Sequence, residues 1–591
     1  MRVIESFLNG AWQSADGPRT SLVNPATEEV LAEAASARGL GDAVRHAREV
    51  GGPALRAMSF RQRGALLQAI AKLLHAHREE LLDLAVVSGG NTRGDAKFDV
   101  DGGLGVLAAY AELAESLPDA PWLVEGEPAV VVRTSKVRVQ HLLQPRHGVA
   151  VHINAFNFPA WGMLGKAAVA WLAGMPVLSK PATSTSLVAH RIAELVVGAD
   201  ILPPGAFQIL IGSVGDLLDH LGPQDVVAFT GSADTGAKIR GHRNVLAHGV
   251  RVNVEADSLN SVVLGPDVQE GSELWDLVVR DAVTELTQKT GQKCTATRRI
   301  LVPEAALPAL RDALEGRLGE RAAQTGNPLS KAVKMGPLST AQQLADARAG
   351  VAALRERARI VRGDPQRGEF VDVPAGKGFF LEPILLEADA AAVLDRSAVF
   401  HRVEVFAPVA TLLPYDGSVA QAAAIVGFGG GSLVSTVYSD DREYVARAVA
   451  ELGPQLGRLV LSDEKGAGGS FSPGGVFPQA QHGGPGRAGG GAEASAVASA
   501  SSSTCSAPPY RAARASSRAC SAADARPPPR YPGPTCRSWS RWSCSSRCSG
   551  ASPTPASPAS SSTASAWPRS RPSARASSSP SPRATTATPT S

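Results

Sequence analysis

Cysteine is scarce in this chain: Cys294 is the only one in the first 504 residues, and the other five all lie after that point. Without a second thiol, these 504 residues have no disulfide framework and no zinc-type cysteine spacing. A single thiol is either a small buried side chain or a nucleophile. The chemistry of the chain therefore depends on which of the two Cys294 is.

The last part of the chain has few of the residues that build an apolar core. Residues 494–591 contain no Leu, Ile, Phe, Met or Lys, so this tail cannot bury enough apolar area to offset its chain entropy. Its net charge is +11, whereas residues 1–493 carry −7. Out-of-frame translation of a GC-rich gene is the interpretation we favour, ahead of a disordered linker. An arginine tail that binds nucleic acid ranks third.

Long apolar runs are absent as well. The chain opens without the apolar stretch that export requires. The longest apolar region, near residues 167–177, is too short and too interrupted to span a bilayer. The acidic body has no basic face for nucleic acid. We therefore expect a cytoplasmic protein with no membrane or nucleic-acid partner, in a reducing compartment that suits a single thiol.

Alternating strand and helix patterns fill the middle of the chain. Asn9-Gly10 between short apolar runs predicts a hairpin near the N-terminus. Further strands are predicted at residues 149–153, 176–179, 207–211, 226–229 and 250–254, separated by helices that include 161–172 and 233–240. This alternation indicates an α/β fold with a parallel, doubly wound sheet, which binds ligands beyond the carboxyl ends of its strands. A second α/β segment spans about 273–461.

Three polar side chains could do chemistry. Cys294 follows Gly291-Gln292-Lys293 after a predicted helix, which favours a tight turn near a cleft over an apolar core position. Glu255 ends a strand, where a carboxylate could activate water, although from this residue alone a solvated strand-end acid is the better interpretation. Asn157 follows another strand and could donate to an oxyanion, or simply form a turn beside a proline.

A cofactor is suggested by the stretch from Phe229 to Gly236, which includes Gly231 and Ser232 and joins a strand to a helix. Its glycines let the backbone approach a phosphate at the helix N-terminus, although a short glycine-containing turn is weak support by itself. Lys180 closes a neighbouring strand and could contact a ribose or its phosphate, although an ordinary strand-end lysine is the default interpretation.

The order of these residues resembles the aldehyde dehydrogenase superfamily over roughly residues 5–491. The matching positions are Asn157, Lys180, Gly231, Gly236, Glu255, Cys294 and Glu404. Within the superfamily, four stretches resemble the dehydrogenase half of the bifunctional oxepin-CoA hydrolase/3-oxo-5,6-dehydrosuberyl-CoA semialdehyde dehydrogenases of phenylacetate degradation. These stretches are residues 152–159, 255–260, 291–296 and 482–491.

The resemblance implies an α/β, aldehyde dehydrogenase-like fold with a Rossmann-type cofactor domain. That domain is expected at 1–255, with an oligomerisation strand insertion near 125–145. A catalytic domain is expected at 256–461, a small oligomerisation or substrate segment at 462–493, and a disordered or frameshifted tail at 494–591. The family also implies a homo-oligomer.

The resemblance further implies a role for each residue. Cys294 would attack the aldehyde, Asn157 would hold the oxyanion, and Glu255 would activate the water that releases the acid. Lys180, Thr183, Gly231, Ser232, Gly236, Glu404 and Phe406 would bind the cofactor. Relatives that prefer NAD commonly carry a glutamate where Thr183 stands, so we expect NADP, with NAD possible. No metal is expected.

The expected substrate is the CoA-linked semialdehyde of phenylacetate degradation, oxidised to its acid. One alternative is the 3,4-dehydroadipyl-CoA semialdehyde of benzoyl-CoA degradation, and another is a catalytically silent oligomeric scaffold. The chain departs from the family at Ala407, where glycine is usual. The tail lacks the apolar pattern of the hydratase domain found in the bifunctional relatives, so we expect no ring-opening hydrolase activity.

Overall fold

The computed structural model describes residues 2–13, 18–130, 138–466, 474–480 and 482–490. The predictions made for the tail, residues 494–591, lie outside these ranges.

The described residues form strands and helices in the alternating order that the sequence predicts. The strands are β1 Val3–Ile4, β2 Ser6–Leu8, β3 Ala11–Gln13, β4 Arg19–Val23, β5 Val30–Ala35, β6 Leu123–Val130, β7 Arg138–Leu143, β8 Ala150–Ile153, β9 Val177–Lys180, β10 Phe207–Ile209, β11 Val226–Thr230, β12 Arg251–Glu255, β13 Ser261–Leu264, β14 Arg299–Pro303, β15 Ala358–Arg362, β16 Ile384–Ala388, β17 Val409–Tyr415, β18 Ser432–Tyr438 and β19 Leu456–Ser462. The α-helices are α1 Leu40–His46, α2 Gly52–Arg56, α3 Phe60–Ala76, α4 Arg78–Gly89, α5 Arg93–Ser116, α6 Trp161–Leu172, α7 Ser186–Gly198, α8 Ala233–Arg240, α9 Arg243–His248, α10 Glu273–Thr287, α11 Leu307–Ala323, α12 Ala341–Leu354, α13 Val419–Gly427 and α14 Arg442–Leu452.

The first large sheet runs in the order β12-β11-β8-β9-β10-β2-β3. Strands β12 to β10 are parallel, as predicted. The register pairs Ile153 with Lys180, and Thr230 with Glu255, so these strands end at one common edge. The predicted hairpin is present: β2 and β3 pair antiparallel, with Asn9 and Gly10 at φ 55° and 79°.

Helices cover both faces of this sheet. Helices α3, α5, α6 and α7 bury their apolar side chains against one face, around the fully buried Trp171. Helices α1, α8 and α9 pack on the other face through Leu40, Val44, Ile239 and Val245. Burial on both faces explains why β8 and β11 are almost entirely apolar.

The second large sheet runs in the order β15-β16-β17-β14-β13-β18-β19. It is parallel apart from β15, an antiparallel edge strand. Helices α10 and α11 cover one face, and α12, α13 and α14 the other. The short link between β12 and β13 connects the two large sheets, so Glu255 stands at the junction.

Strands β6 and β7 pair antiparallel in a small sheet of their own, within the region where an oligomerisation insertion is expected. Across the described ranges, none of the helices combines the length and apolar character needed to cross a membrane.

Candidate active site

Cys294 is presented by an unusual turn after helix α10. Lys289, Thr290 and Gly291 adopt φ values of 52°, 56° and 67°, three left-handed residues in succession. A β-branched threonine is strained in this region, so neighbouring contacts must hold it there. The backbone N–H of Lys289 donates to Asp95 Oδ1 at 2.9 Å, and Thr290 Oγ1 donates to the Gly336 carbonyl at 3.0 Å. The tight turn predicted before Cys294 is therefore present.

Buried polar side chains stabilise this turn through ion pairs and hydrogen bonds. Lys293 is 1% exposed, and its Nζ lies 2.8 Å from both Glu285 Oε2 and Gln288 Oε1. Asn260 Nδ2 donates to the carbonyl of Cys294 at 2.8 Å and to that of Ala296 at 3.0 Å. The polar residues around Cys294 thus fix its backbone.

Arg298 ties the same turn to the second sheet. Its buried guanidinium donates to the carbonyls of Gly291, Lys293 and Ala407 at 2.9, 3.3 and 2.8 Å, and to Glu404 Oε1 at 3.2 Å. Gly291 is required here, because a Cβ on it would lie 2.3 Å from the Ala407 carbonyl. The Ala407 methyl, which departs from the family pattern, packs in the core of the second sheet.

His482 joins Cys294 and Glu255 into one group of side chains. Its Nε2 lies 2.8 Å from Glu255 Oε1 and 3.4 Å from Cys294 Sγ. The sulfur, the ring nitrogen and the carboxylate oxygen lie within 4.8 Å of one another, so the three side chains form one compact group. Sequence reasoning missed His482 as a site residue. The only signal was its place in the stretch 482–491, which carries part of the family resemblance.

The glycine-rich segment, residues 482–490, reaches this site by pairing with the end of β12. Gly490 N donates to the Val254 carbonyl at 2.8 Å, and Ala256 N donates to the Ala488 carbonyl at 3.0 Å. Strand β19 lies so close that a Cβ on Gly457 would be 1.5 Å from the Gly483 carbonyl. Glycine therefore permits the backbone contact that brings His482 to the site.

Burial and charge act against each other in this group. Burial raises the pKa of the Cys294 thiol, and His482 opposes that rise. Burial would also raise the pKa of Glu255, but His482 and then Lys166 lower it to about 2. Burial lowers the pKa of His482, but Glu255 and then Cys294 raise it well above its usual value. The arrangement is that of an imidazolium between a carboxylate and a sulfur.

Asn157 and the Cys294 group line one cavity, which has about 930 Å³ of empty space, part of it open to solvent. Asn157 Nδ2 donates to the Gln292 carbonyl at 2.9 Å, so the amide stands against the Cys294 turn. Lys166 Nζ donates to Thr230 Oγ1 at 2.8 Å on the cavity wall. The remaining lining is mostly apolar and comes from α5, the loop before α6, α6 itself and residues 474–477, with Tyr110, Phe158, Trp161, Val476 and Phe477.

The residues predicted to bind a cofactor phosphate and ribose lie along the carboxyl edge of the first sheet. Lys180 ends β9, and Gly231 and Ser232 follow β11. Ser232 caps α8 by accepting from Thr235 N. Gly236 packs close to β12, since a Cβ on it would lie 2.6 Å from Val254 Cγ1. A helix N-terminus and a lysine at one sheet edge fit the phosphates of a dinucleotide.

The other cofactor candidates have partners of their own. Thr183 Oγ1 donates to the Gly212 carbonyl at 3.4 Å. Glu404 Oε2 accepts from Ser258 N at 3.0 Å, and its other oxygen accepts from Arg298. Burial raises the pKa of Glu404 to about 7, although Arg298 opposes this. The Phe406 ring lies 5.3 Å from the Arg298 guanidinium.

Known proteins resemble this chain along most of its length. The 3,4-dehydroadipyl-CoA semialdehyde dehydrogenase of Aromatoleum evansii is 44% identical over 483 residues, which cover 82% of this chain and 93% of that protein. A putative aldehyde dehydrogenase from Burkholderia cenocepacia has a similar structure, with a TM-score of 0.71 and 25% identity, covering 84% of this chain and 95% of that one. The betaine aldehyde dehydrogenase of Staphylococcus aureus, solved with NAD+, shares the fold with a TM-score of 0.70 and 23% identity. The match covers 82% of this chain and 90% of that one.

These likenesses confirm the predicted aldehyde dehydrogenase-like α/β fold. The model of the aldehyde dehydrogenase family matches residues 12–495. The fold, the family match and the relatives agree on an oxidoreductase that acts on aldehydes. This chain belongs to the aldehyde dehydrogenase family.

Proposed function

We propose that this enzyme oxidises a CoA-linked semialdehyde to its carboxylic acid, with 3,4-dehydroadipyl-CoA semialdehyde as the substrate. The meeting of Cys294, Glu255 and Asn157 at one cavity supports the reaction. The substrate is supported by the Aromatoleum evansii relative, whose name states that aldehyde. This relative favours the benzoyl-CoA substrate, given above as an alternative, over the phenylacetate substrate, which stays a prediction.

In the first half of the reaction, Cys294 thiolate attacks the aldehyde carbon and forms a thiohemiacetal. One amide N–H of Asn157 donates to the Gln292 carbonyl. The second amide N–H and the backbone N–H of Cys294 are the donors that would bind the oxyanion. A bound nicotinamide cofactor would accept a hydride from the same carbon. Apolar side chains, among them Phe158, Trp161 and Phe477, line the cavity that contains the reacting sulfur.

In the second half, a thioester on Cys294 must be hydrolysed. Glu255 is buried, and its Oε1 contacts His482, which also contacts Cys294. Thr230 Oγ1 donates a hydrogen bond to Glu255 Oε2 at 3.4 Å. We assign Glu255 as the base that takes a proton from the attacking water. Cys294 then leaves as a thiolate, and the acid product is released.

We propose NADP as the cofactor. Lys180 would attract a 2′-phosphate, and Thr183 offers no negative charge to repel it. We also propose that the enzyme works as a homo-oligomer in the cytoplasm. The β6–β7 sheet, which is separate from both large sheets, is the element we expect to pair between subunits. Size-exclusion chromatography with light scattering, with and without residues 123–143, tests that expectation.

The function is tested by following NADPH formation with 3,4-dehydroadipyl-CoA semialdehyde and, in parallel, with 3-oxo-5,6-dehydrosuberyl-CoA semialdehyde. Wild type should turn over the first with the higher kcat/KM. Cys294→Ala should form no NADPH, whereas Glu255→Gln should give a single burst followed by slow turnover. Glu304→Gln, at an exposed acid, serves as the matched control. Absence of NADPH from wild type with both substrates would refute the proposal.

A further inference from the structure

We propose that His482 is a third catalytic residue: its Nε2–H stabilises Cys294 as a thiolate for attack while holding the Glu255 carboxylate in place. This inference rests on the proposed reaction for its purpose, but it is carried by the contacts of the imidazole. Cys294, His482 and Glu255 form the contiguous group described above, and the reacting sulfur is one of its members.

The geometry determines where a proton sits on the imidazole. Glu255 is a carboxylate, which only accepts hydrogen bonds, so its 2.8 Å contact requires a hydrogen on His482 Nε2. Cys294 Sγ lies 3.4 Å from the same nitrogen, within range of a hydrogen bond to sulfur. Because Nε2 is already protonated, the sulfur must be an acceptor there. A thiolate is a far better acceptor than a thiol, so this contact favours the ionised form.

Formation of this ion pair moves a single proton. The S–H bond of Cys294 breaks and its electron pair stays on sulfur. Because Nε2 already bears a hydrogen, the proton passes through solvent in the cavity to Nδ1, so both ring nitrogens are then protonated. The product has one imidazolium between two anions. No oxidant, metal or further reactant is needed for this step.

The surroundings explain why such a group is needed. Glu255 is negative and lies beside the sulfur, and both burial and that carboxylate oppose a thiolate. Other positive charges act on the same group: Lys166 on α6 acts on Glu255, and Arg298 and Arg458 act on Cys294. Both arginines are bonded to backbone carbonyls. His482 contacts the sulfur itself, at 3.4 Å.

The test is the pH dependence of Cys294 alkylation by iodoacetamide in the full-length chain, read by mass spectrometry of the Cys294 peptide. This readout separates Cys294 from the five cysteines after residue 504. His482→Gln should move the alkylation midpoint upward by about one pH unit or more, which is about tenfold slower alkylation near neutral pH. His248→Gln, at an exposed histidine, should leave the midpoint unchanged.

An unchanged midpoint in folded His482→Gln would overturn the proposal. If that variant does not reach the wild-type thermal midpoint, the same profile is taken on Gly457→Ala, in which His482 is displaced but retained. There too, an upward shift supports the role and an unshifted profile contradicts it. Alkylation needs no aldehyde, so the pH shift in His482→Gln can be measured even if neither CoA semialdehyde is a substrate. The proposal for His482 and the proposed function can therefore be refuted independently.

Discussion

Replacing Gly457 with alanine is expected to disable the enzyme from outside the cavity. Gly457 lies on β19, and the new Cβ would lie 1.5 Å from the Gly483 carbonyl oxygen. Real Cβ atoms do not approach other heavy atoms more closely than 3.0 Å, so the Gly483 carbonyl oxygen must move away by about 1.5 Å. Gly483 is the neighbour of His482, so the displacement passes directly to the imidazole.

The size of the effect follows from the His482 contacts. His482 Nε2 lies 2.8 Å from Glu255 Oε1, and a hydrogen bond is lost beyond about 3.5 Å. A displacement of His482 by about 1.5 Å would therefore break this hydrogen bond. Misplacing a catalytic group by about 1 Å costs about 10²-fold in rate. We therefore expect kcat to fall about 100-fold, with little change in KM, because residues of α5 and α6 that line the cavity are untouched.

The assay is steady-state NADPH formation, with thermal denaturation to show that the variant is folded. Gly453→Ala is the matched control, since it lies just before β19 and a Cβ there meets no atom within 4 Å. It should retain wild-type kcat. A folded Gly457→Ala with wild-type kcat would refute the idea that the glycine-rich segment places a catalytic side chain.

Three further predictions concern other parts of the site. Lys293→Met should lower the free energy of unfolding by about 3–5 kcal/mol, since it strands the buried Glu285 carboxylate; urea denaturation measures this against the exposed Lys331→Met. Glu404 binds an extra proton in the folded state between its ordinary pKa of 4.5 and its raised value of about 7, so its contribution to stability falls as pH rises through that range. Glu404→Gln should remove that part of the fall, seen as a smaller loss of thermal midpoint between about pH 5 and about pH 8. Gly162→Phe should raise KM for the CoA substrate by about tenfold, and less for acetaldehyde, at an unchanged thermal midpoint, because Gly162 lines the cavity and faces open space.

Local patterns predicted much of the first sheet and its helices. Helix 161–172 has the bounds expected from its apolar run, and helix 233–240 begins after the capping Ser232. These signals are short in sequence, and burial on both faces of a parallel sheet reinforces them. The convergence of Cys294, Glu255 and Asn157 was predictable only from their order in a known family, since no local pattern links strand ends so far apart.

The supporting residues of the site escaped prediction for physical reasons. His482 is 188 residues from Cys294 and lies in a segment of glycines without apolar periodicity. In the sequence, Asn260 and Arg298 are indistinguishable from ordinary polar residues near strand ends. Only the folded chain shows that they donate hydrogen bonds to backbone carbonyls around Cys294. Such roles depend on contacts between distant segments, which propensity and spacing do not encode.

The path of the chain through the site bears on how the enzyme is made. Asn157, Glu255, Cys294 and His482 come from successive stretches of the chain, and the last arrives on the segment that pairs with β12. During synthesis, the nucleophile and its base are complete long before residue 482 leaves the ribosome. If His482 activates the thiol, Cys294 lacks its activating cation until residues 482–490 have paired with β12. The pairing of two segments far apart in the chain would then control when the buried sulfur becomes a nucleophile.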